Sequence, residues 1–298
     1  MFPPILVART EATSRIGAGH AMRCLGILER WVKAGGRVQL WGTIEIDFVR
    51  HRAERAGIPI VATPDADISI LIVDVYDAEE RVVLGRMRTV GARVLVDDLG
   101  EKIPVGYSAV WNPNAYAERS LYRGFDGYIF AGPEYVPVRE RLPAWVGGGA
   151  GAVSFGGTRI TERLGSVLEV LPAACGVSML QCVGTPLPPC CRPVPPDDIW
   201  NSLKFAPWFI FAAGSTIWEA AVVGIPSVAV ILEANHVLAA GWAASNGVPV
   251  VDLRVGESPE EHASTLSNAV TRARPLPELQ PGAGVVVREL SALIGWSP

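Results

Sequence analysis

The sequence predicts an α/β protein of two doubly wound domains, and three observations carry that expectation. Apolar runs of strand length alternate with helical patterns along nearly the whole chain. The strand runs are near-continuous Val, Ile and Leu rather than alternating, as in a parallel sheet covered on both faces. A break at 139–152, "RERLPAWVGGGAGA", carries arginines, a proline and a glycine run, and divides the alternation into halves of similar size. The expected domains are 1–145 and 146–298, and 298 residues suffice for two medium domains.

The elements follow in order. "ILVAR" (5–9) is a strand, and 20–34 is a helix with Ala21, Leu25, Leu28 and Val32 on one face. "RVQLWG" is a strand and "DFVRHRAERAG" (47–57) a helix ending at glycine. "IPIVAT" and "ISILIVDVY" are strands, "AEERVVLGRMRTVG" a helix, and "ARVLVDDL", "AVWNPN" and "GYIFAGP" complete the first half. The second half opens with "AVSFGGT" as strand and turn, then "ITERLGSVLEVL" as helix and "VSMLQCVG" as strand. Six prolines in "TPLPPCCRPVPPDD" (185–198) demand a loop or extended connection. "WFIFAAG", "PSVAVIL" and "VPVVDL" are strands; "STIWEAAVVG", "HVLAAGWAASNG" and 258–273 are helices.

Composition excludes several classes. Hydrophobic residues make up 49% and charged residues 19%, which fits a buried globular core rather than a disordered chain. A net charge of −4 without a long basic run gives no electrostatic footing for nucleic acid or an anionic membrane. No run approaches the roughly 20 apolar residues of a membrane helix. "MFPPILVARTEA" lacks the basic start and long apolar run of a signal peptide, so a cytoplasmic protein is expected. The five cysteines lack paired C-x-x-C spacing and have no histidine near Cys175, Cys182, Cys190 and Cys191; reduced thiols in a strand and a loop are expected.

In open α/β sheets ligands bind outside the carboxyl ends of strands, and two such domains facing each other leave a cleft. The turns after strands therefore hold the candidates. "RTEATSRIGAGHAMRC" (9–24) places Gly17 and Gly19 where positive φ would bring backbone close to a ligand. The helix beginning near His20 would aim N–H groups and its positive dipole end there. A tight turn with a histidine helix cap explains the same residues. It is not the full G-x-G-x-x-G fingerprint, and no G-K-[ST] occurs anywhere. In "FAAGSTIWEA" (211–220), Ser215 and Thr216 are capping types, and Glu219 suits the helix dipole. The same groups suit a diphosphate and the ribose hydroxyls of a nucleotide. "SFGGT" (154–158) is a third glycine turn, with Phe155, Gly156 and Gly157, and "LEANH" closes a strand with Asn235 and His236. Three such turns in one domain point to nucleotide binding there. His51 and His262 lie in charged helical stretches and read as solvated.

Arg9, Glu11, Thr13, Ile16, Gly17, Gly19, His20, Arg23, Cys24 and Leu25 match the pattern R-x-D/E-x-S/T-x-x-I-G-x-G-H-x-x-R-C-L. This resembles the nucleotide-sugar hydrolases of pseudaminic acid biosynthesis, which release 2,4-diacetamido-2,4,6-trideoxy-altrose from UDP. The resemblance runs on through Asp74-Val75-Tyr76, Val96 to Leu99, and Gly132, Pro133, Tyr135 and Arg139. It continues at 154–157, 213–219, and Glu233, Asn235 and His236. It implies the GT-B architecture of many glycosyltransferases, with the C-terminal domain on the nucleotide and the N-terminal domain on the sugar or acceptor.

By that resemblance His20 is the general base for attack of water at the anomeric carbon with inversion. Arg9, Gly17, Gly19, Tyr76, Asn235 and His236 lie on the sugar side. Phe155, Gly156, Gly157, Gly214, Ser215, Thr216 and Glu219 hold the nucleotide. The expected substrate is a nucleotide sugar, most simply a UDP-sugar, with no cofactor and no metal; "DADIS" (65–69) is the only Asp-x-Asp triplet and reads as a solvated turn. The chain departs from the pattern at Val75, Arg159, Ala213 and His236. The alternative is a glycosyltransferase that uses the same base on a hydroxyl of a small-molecule acceptor. A nucleotide-sugar binder without catalysis is the third reading, and His20 speaks against it.

Overall fold

The computed structural model describes residues 3–65, 67–138, 142–195, 199–255 and 258–297, with only the backbone at 156–159. The chain divides into two compact units, 1–140 with 280–298, and 141–279.

The first unit holds a seven-stranded sheet in the order β3-β2-β1-β4-β5-β6-β7, every pair parallel. The strands are β1 (Ile5–Thr10), β2 (Arg37–Trp41), β3 (Ile60–Val61), β4 (Ile68–Asp74), β5 (Val90–Val96), β6 (Ala109–Asn112) and β7 (Tyr128–Ala131). Both faces of the central strands are covered, with Leu6, Val7, Ala8, Leu71 and Ile72 fully buried. That is why these strands read as unbroken apolar runs.

Helix α1 (Gly19–Lys33) buries Ala21, Leu25 and Leu28 as expected. Val32 instead stays exposed, and Trp31 takes its place in the core, with its indole N–H donating to the Pro4 carbonyl at 3.3 Å. The larger ring removes more apolar surface from water, at about 25 cal/mol per Å². Helices α2 (Asp47–Arg55) and α3 (Ala78–Gly85) follow β2 and β4.

The second unit repeats the design in a six-stranded parallel sheet, order β10-β9-β8-β11-β12-β13. Its strands are β8 (Ala152–Arg159), β9 (Leu180–Thr185), β10 (Cys191–Pro193), β11 (Phe209–Ala212), β12 (Ser227–Ile231) and β13 (Val250–Asp252). Its helices are α4 (Glu162–Ala174), α5 (Ile199–Leu203), α6 (Thr216–Val223), α7 (Val237–Ser245) and α8 (Pro259–Val270). Thr161 caps α4 by accepting from the Leu164 N–H, and Ser258 with Glu261 forms a reciprocal capping box on α8. The proline-rich connection contributes the short edge strand β10, whose residues pair with Leu180, Gln181 and Cys182.

Two expectations are corrected. The chain changes unit at 140/141 rather than 145/146, and 280–298 returns to the first unit. The returning helix α9 (Ala283–Leu293) buries Val286, Val287 and Leu290 in the same core as Leu28 and Trp31. Trp296 beyond it packs on Trp31 with ring centroids 4.6 Å apart. Gly282 makes the turn into α9: its N–H donates to Val136 at 2.8 Å, and a Cβ there would collide with the Glu134 carbonyl. Gly156 and Gly157 do not form a strand-end turn, because β8 runs through them to Arg159, with a register irregularity between Ser154 and Arg159. No described helix is long and apolar enough to cross a membrane.

Candidate active site

In the first unit, strand order reverses between β1 and β4, and the residues just past these strand ends converge. The turn after β1 is closed by Gly17, whose N–H donates to the Thr13 carbonyl at 2.8 Å with φ of 83°. Gly19 is already helical, so only the first of the expected pair uses positive φ. The helix N-cap is Ala18 and makes no side-chain capping bond; His20 is therefore not a cap.

His20 reaches instead to the last residue of β4. Its Nδ1 lies 2.6 Å from Asp74 Oδ1, and both side chains are nearly excluded from solvent. Arg23, one helical turn on, grips the same carboxylate through Nε to Oδ2 at 2.7 Å and Nη2 to Oδ1 at 2.6 Å. It also reaches Asp98, beyond β5, through Nη1 at 2.7 Å, and Asn114 donates to that carboxylate at 3.0 Å. The Tyr76 ring meets the imidazole edge-on, with centroids 4.5 Å apart, and is itself more than half exposed.

Burial opposes charge on Asp74, but Arg23 and His20 outweigh it and hold this carboxyl well below the usual carboxylate range. Asp98 is lowered in the same way: burial acts against it and Arg23 prevails. Burial beside Asp74 pushes the Cys24 thiol up, so it takes no part as a thiolate. An ionised Asp74 accepts the Nδ1 proton of His20, which leaves Nε2 as the lone-pair nitrogen. That is the arrangement of a general base oriented by a carboxylate.

Arg9 is engaged elsewhere. Its Nε donates to Glu80 at 2.6 Å, its Nη2 to Glu11 at 2.9 Å, and its guanidinium lies over Trp41. It fastens the turn after β1 to α3, in contrast to its expected sugar-side place. Asp74, Arg23, Asp98 and Asn114 were not among the expected site residues. The signal that finds them is topological: strand-end acids in "IVDVY" and "LVDDL", on the adjacent strands β4 and β5 beside the sheet's reversal point.

In the second unit the reversal falls between β8 and β11. The turn after β11 leads through Gly214 and Ser215 into α6. Ser215 occupies the N-cap position yet makes no side-chain capping bond, so capping does not account for it. His236 comes from the turn after β12; its Nδ1 accepts the Leu232 N–H at 3.2 Å, which places the ring proton on Nε2. Nε2 faces Gly214, 3.8 Å from where a Cβ would stand. Burial lowers the His236 pKa, and Arg254 adds to this while Glu233 opposes it. The ring is thus a neutral N–H donor beside the 214–216 turn.

Glu219 accepts the Trp200 indole N–H on Oε2 at 2.6 Å. Asn235 is exposed in the same turn as His236. Phe155, expected at the nucleotide, is buried in the core with Val153, Leu168 and Ile210, because alternate residues of β8 point into that layer. Arg139 lies outside the described residues, as do the side chains of Gly156, Gly157 and Arg159. Among the described residues no group of three or more His, Cys, Asp or Glu is arranged to hold a metal ion.

No family model matches the chain, and no curated protein matches it. Solved structures do. The glycotransferase of kitacinnamycin aligns over 98% of this chain and 96% of its own at TM-score 0.59 and 14% identity. The spinosyn rhamnosyltransferase SpnG, complexed with thymidine diphosphate, aligns over 98% and 96% at TM-score 0.57 and 16% identity. A putative UDP-N-acetylglucosamine 2-epimerase from Listeria monocytogenes aligns over 100% and 98% at TM-score 0.62 and 10% identity. At these identities the likeness is one of fold: two parallel, doubly wound α/β sheets in one chain, the GT-B class of these glycosyltransferases.

Proposed function

We propose that the protein is a glycosyltransferase that moves a sugar from a nucleoside diphosphate to a hydroxyl of a small-molecule acceptor, with His20 as general base. The observation that carries this reading is the contact of His20 Nδ1 with Asp74 Oδ1 at 2.6 Å, at the reversal point of the first sheet. Nε2 takes the acceptor proton as the acceptor oxygen attacks the anomeric carbon. The bond from that carbon to the phosphate oxygen breaks, and the nucleoside diphosphate departs. Asp74 stabilises the imidazolium that forms, and Arg23 keeps Asp74 ionised and in place. One displacement inverts the anomeric centre.

The 214–216 turn, with its N–H groups and hydroxyls, receives the diphosphate, and the His236 Nε2–H adds a neutral donor. Glu219 accepts from the ribose. Tyr76 and Asn235 contact the sugar or its phosphate.

The transferase names of solved structures with this fold support an acceptor hydroxyl over water. The motif at 9–25 supports the hydrolase reading, in which water stands in the acceptor's place and the sugar is released free. Turnover of UDP-, CDP- and dTDP-sugars in ¹⁸O-water, with and without added acceptor alcohols, separates the two. Diphosphate release that depends on the alcohol supports the transferase. Release without it, with ¹⁸O in the free sugar, supports the hydrolase. Label in the phosphate contradicts both, because it puts the attack at phosphorus.

A further inference from the structure

The second unit holds a pair of thiols that the proposed reaction does not use. Cys182 lies on β9 and Cys191 opens β10, the neighbouring parallel strand. Both are buried, and their sulfurs stand 2.9 Å apart, with Cys182 donating to Cys191. The register pairs Cys191 with Leu180, so the two cysteines are offset by two positions and share a face of the sheet. Cys190 is adjacent in sequence; its thiol donates to the Leu168 carbonyl of α4 at 3.3 Å and is also within reach of the Cys191 sulfur. All five cysteines are free thiols here.

We propose that Cys182 and Cys191 form a redox-modification site: a thiol pair that closes to a disulfide with peroxide as oxidant and reopens with a thiol reductant. The hydrogen bond from Cys182 lowers the Cys191 pKa against the opposing effect of burial, so Cys191 is the attacking thiolate. Its sulfur attacks one peroxide oxygen and the O–O bond breaks. This leaves a sulfenic acid on Cys191 and a hydroxide that is protonated to water. The Cys182 sulfur then attacks the Cys191 sulfur, the S–O bond breaks, and the Cys182 proton leaves with that oxygen as the second water. The thiol pair loses two electrons and the peroxide gains them. The product ties β10 to β9, two strands that line one cavity of about 560 Å³ through Leu180, Gln181, Arg192 and Pro193.

The test treats the native chain with hydrogen peroxide, blocks remaining thiols, and maps peptides by mass spectrometry without reduction. The expected result is a Cys182–Cys191 cross-linked peptide, loss of these two thiols before Cys24 and Cys175, and full recovery with dithiothreitol. The variants Cys182→Ser and Cys191→Ser each abolish the cross-link. Oxidation that stops at sulfinic acid, a cross-link through Cys190 instead, or retention of all five thiols would overturn the proposal. Mapping of the unaltered chain decides it even if a variant fails to fold.

Discussion

Asp74 Oδ1 sits 2.6 Å from the Nδ1 of His20, and the same oxygen accepts from Arg23 Nη2 at 2.6 Å. One buried carboxylate therefore sets both the proton position on the imidazole and the place of the guanidinium. Asp74→Asn removes the charge that favours the Nδ1–H tautomer. We expect kcat to fall by about 10²–10⁴, the range associated with losing or misorienting a general base. Nucleotide affinity, which depends on the second unit in the proposed reaction, should be nearly unchanged. Steady-state kinetics with calorimetric titration of the nucleotide checks both halves.

The same carboxylate ties stability to pH. Its folded pKa is depressed, so its contribution is in full force above its unfolded value of about 3.9 and is lost as pH falls toward the folded value. Removing it also leaves the buried Arg23 with one fewer partner, a change that costs roughly 3–5 kcal/mol when a buried pair is broken. Urea unfolding should show a gap between the native chain and Asp74→Asn that narrows as pH falls below about 4. A gap that widens below about pH 4 would contradict this.

Ser215 and Thr161 occupy equivalent N-cap positions on α6 and α4, but only Thr161 makes a capping bond. Thr161→Ala should cost about 0.5–2 kcal/mol of stability. Ser215→Ala should leave stability within about 0.5 kcal/mol and weaken nucleotide binding instead. Thermal unfolding and nucleotide titration of the two variants should give opposite patterns.

Leu290 on α9 is fully buried in the core it shares with α1. Leu290→Ala should cost about 2–5 kcal/mol. Hydrogen exchange should quicken in α1 and leave α8 unaffected, although α8 is the nearer helix in sequence.

The parallel sheets were legible because their strands are buried on both faces and so lack polar alternation: "ISILIV" and "PSVAVIL" can hardly be read otherwise. The place of His20 was legible too, from a strand, a glycine turn and a helix start. The return of α9 was not, because local periodicity shows that a helix has an apolar face but not which core receives it. Phe155 was misplaced for a related reason. A glycine pair reads as a turn, whereas here β8 continues through it, with a register irregularity between Ser154 and Arg159, and keeps its alternation up to that ring. The acids were visible as strand ends, but the grip of Arg23 on Asp74 and Asp98 joins residues up to 75 positions apart and follows only from the order of the strands.

The most direct measurement is the effect of His20→Ala on turnover of the best nucleotide sugar, read beside the Kd of its nucleoside diphosphate. With His20 as the base, kcat/KM falls by about 10²–10⁴ while Kd moves by less than about twofold. Turnover that survives the substitution, or a Kd that weakens in step with kcat/KM, would contradict the assignment of His20 as the base.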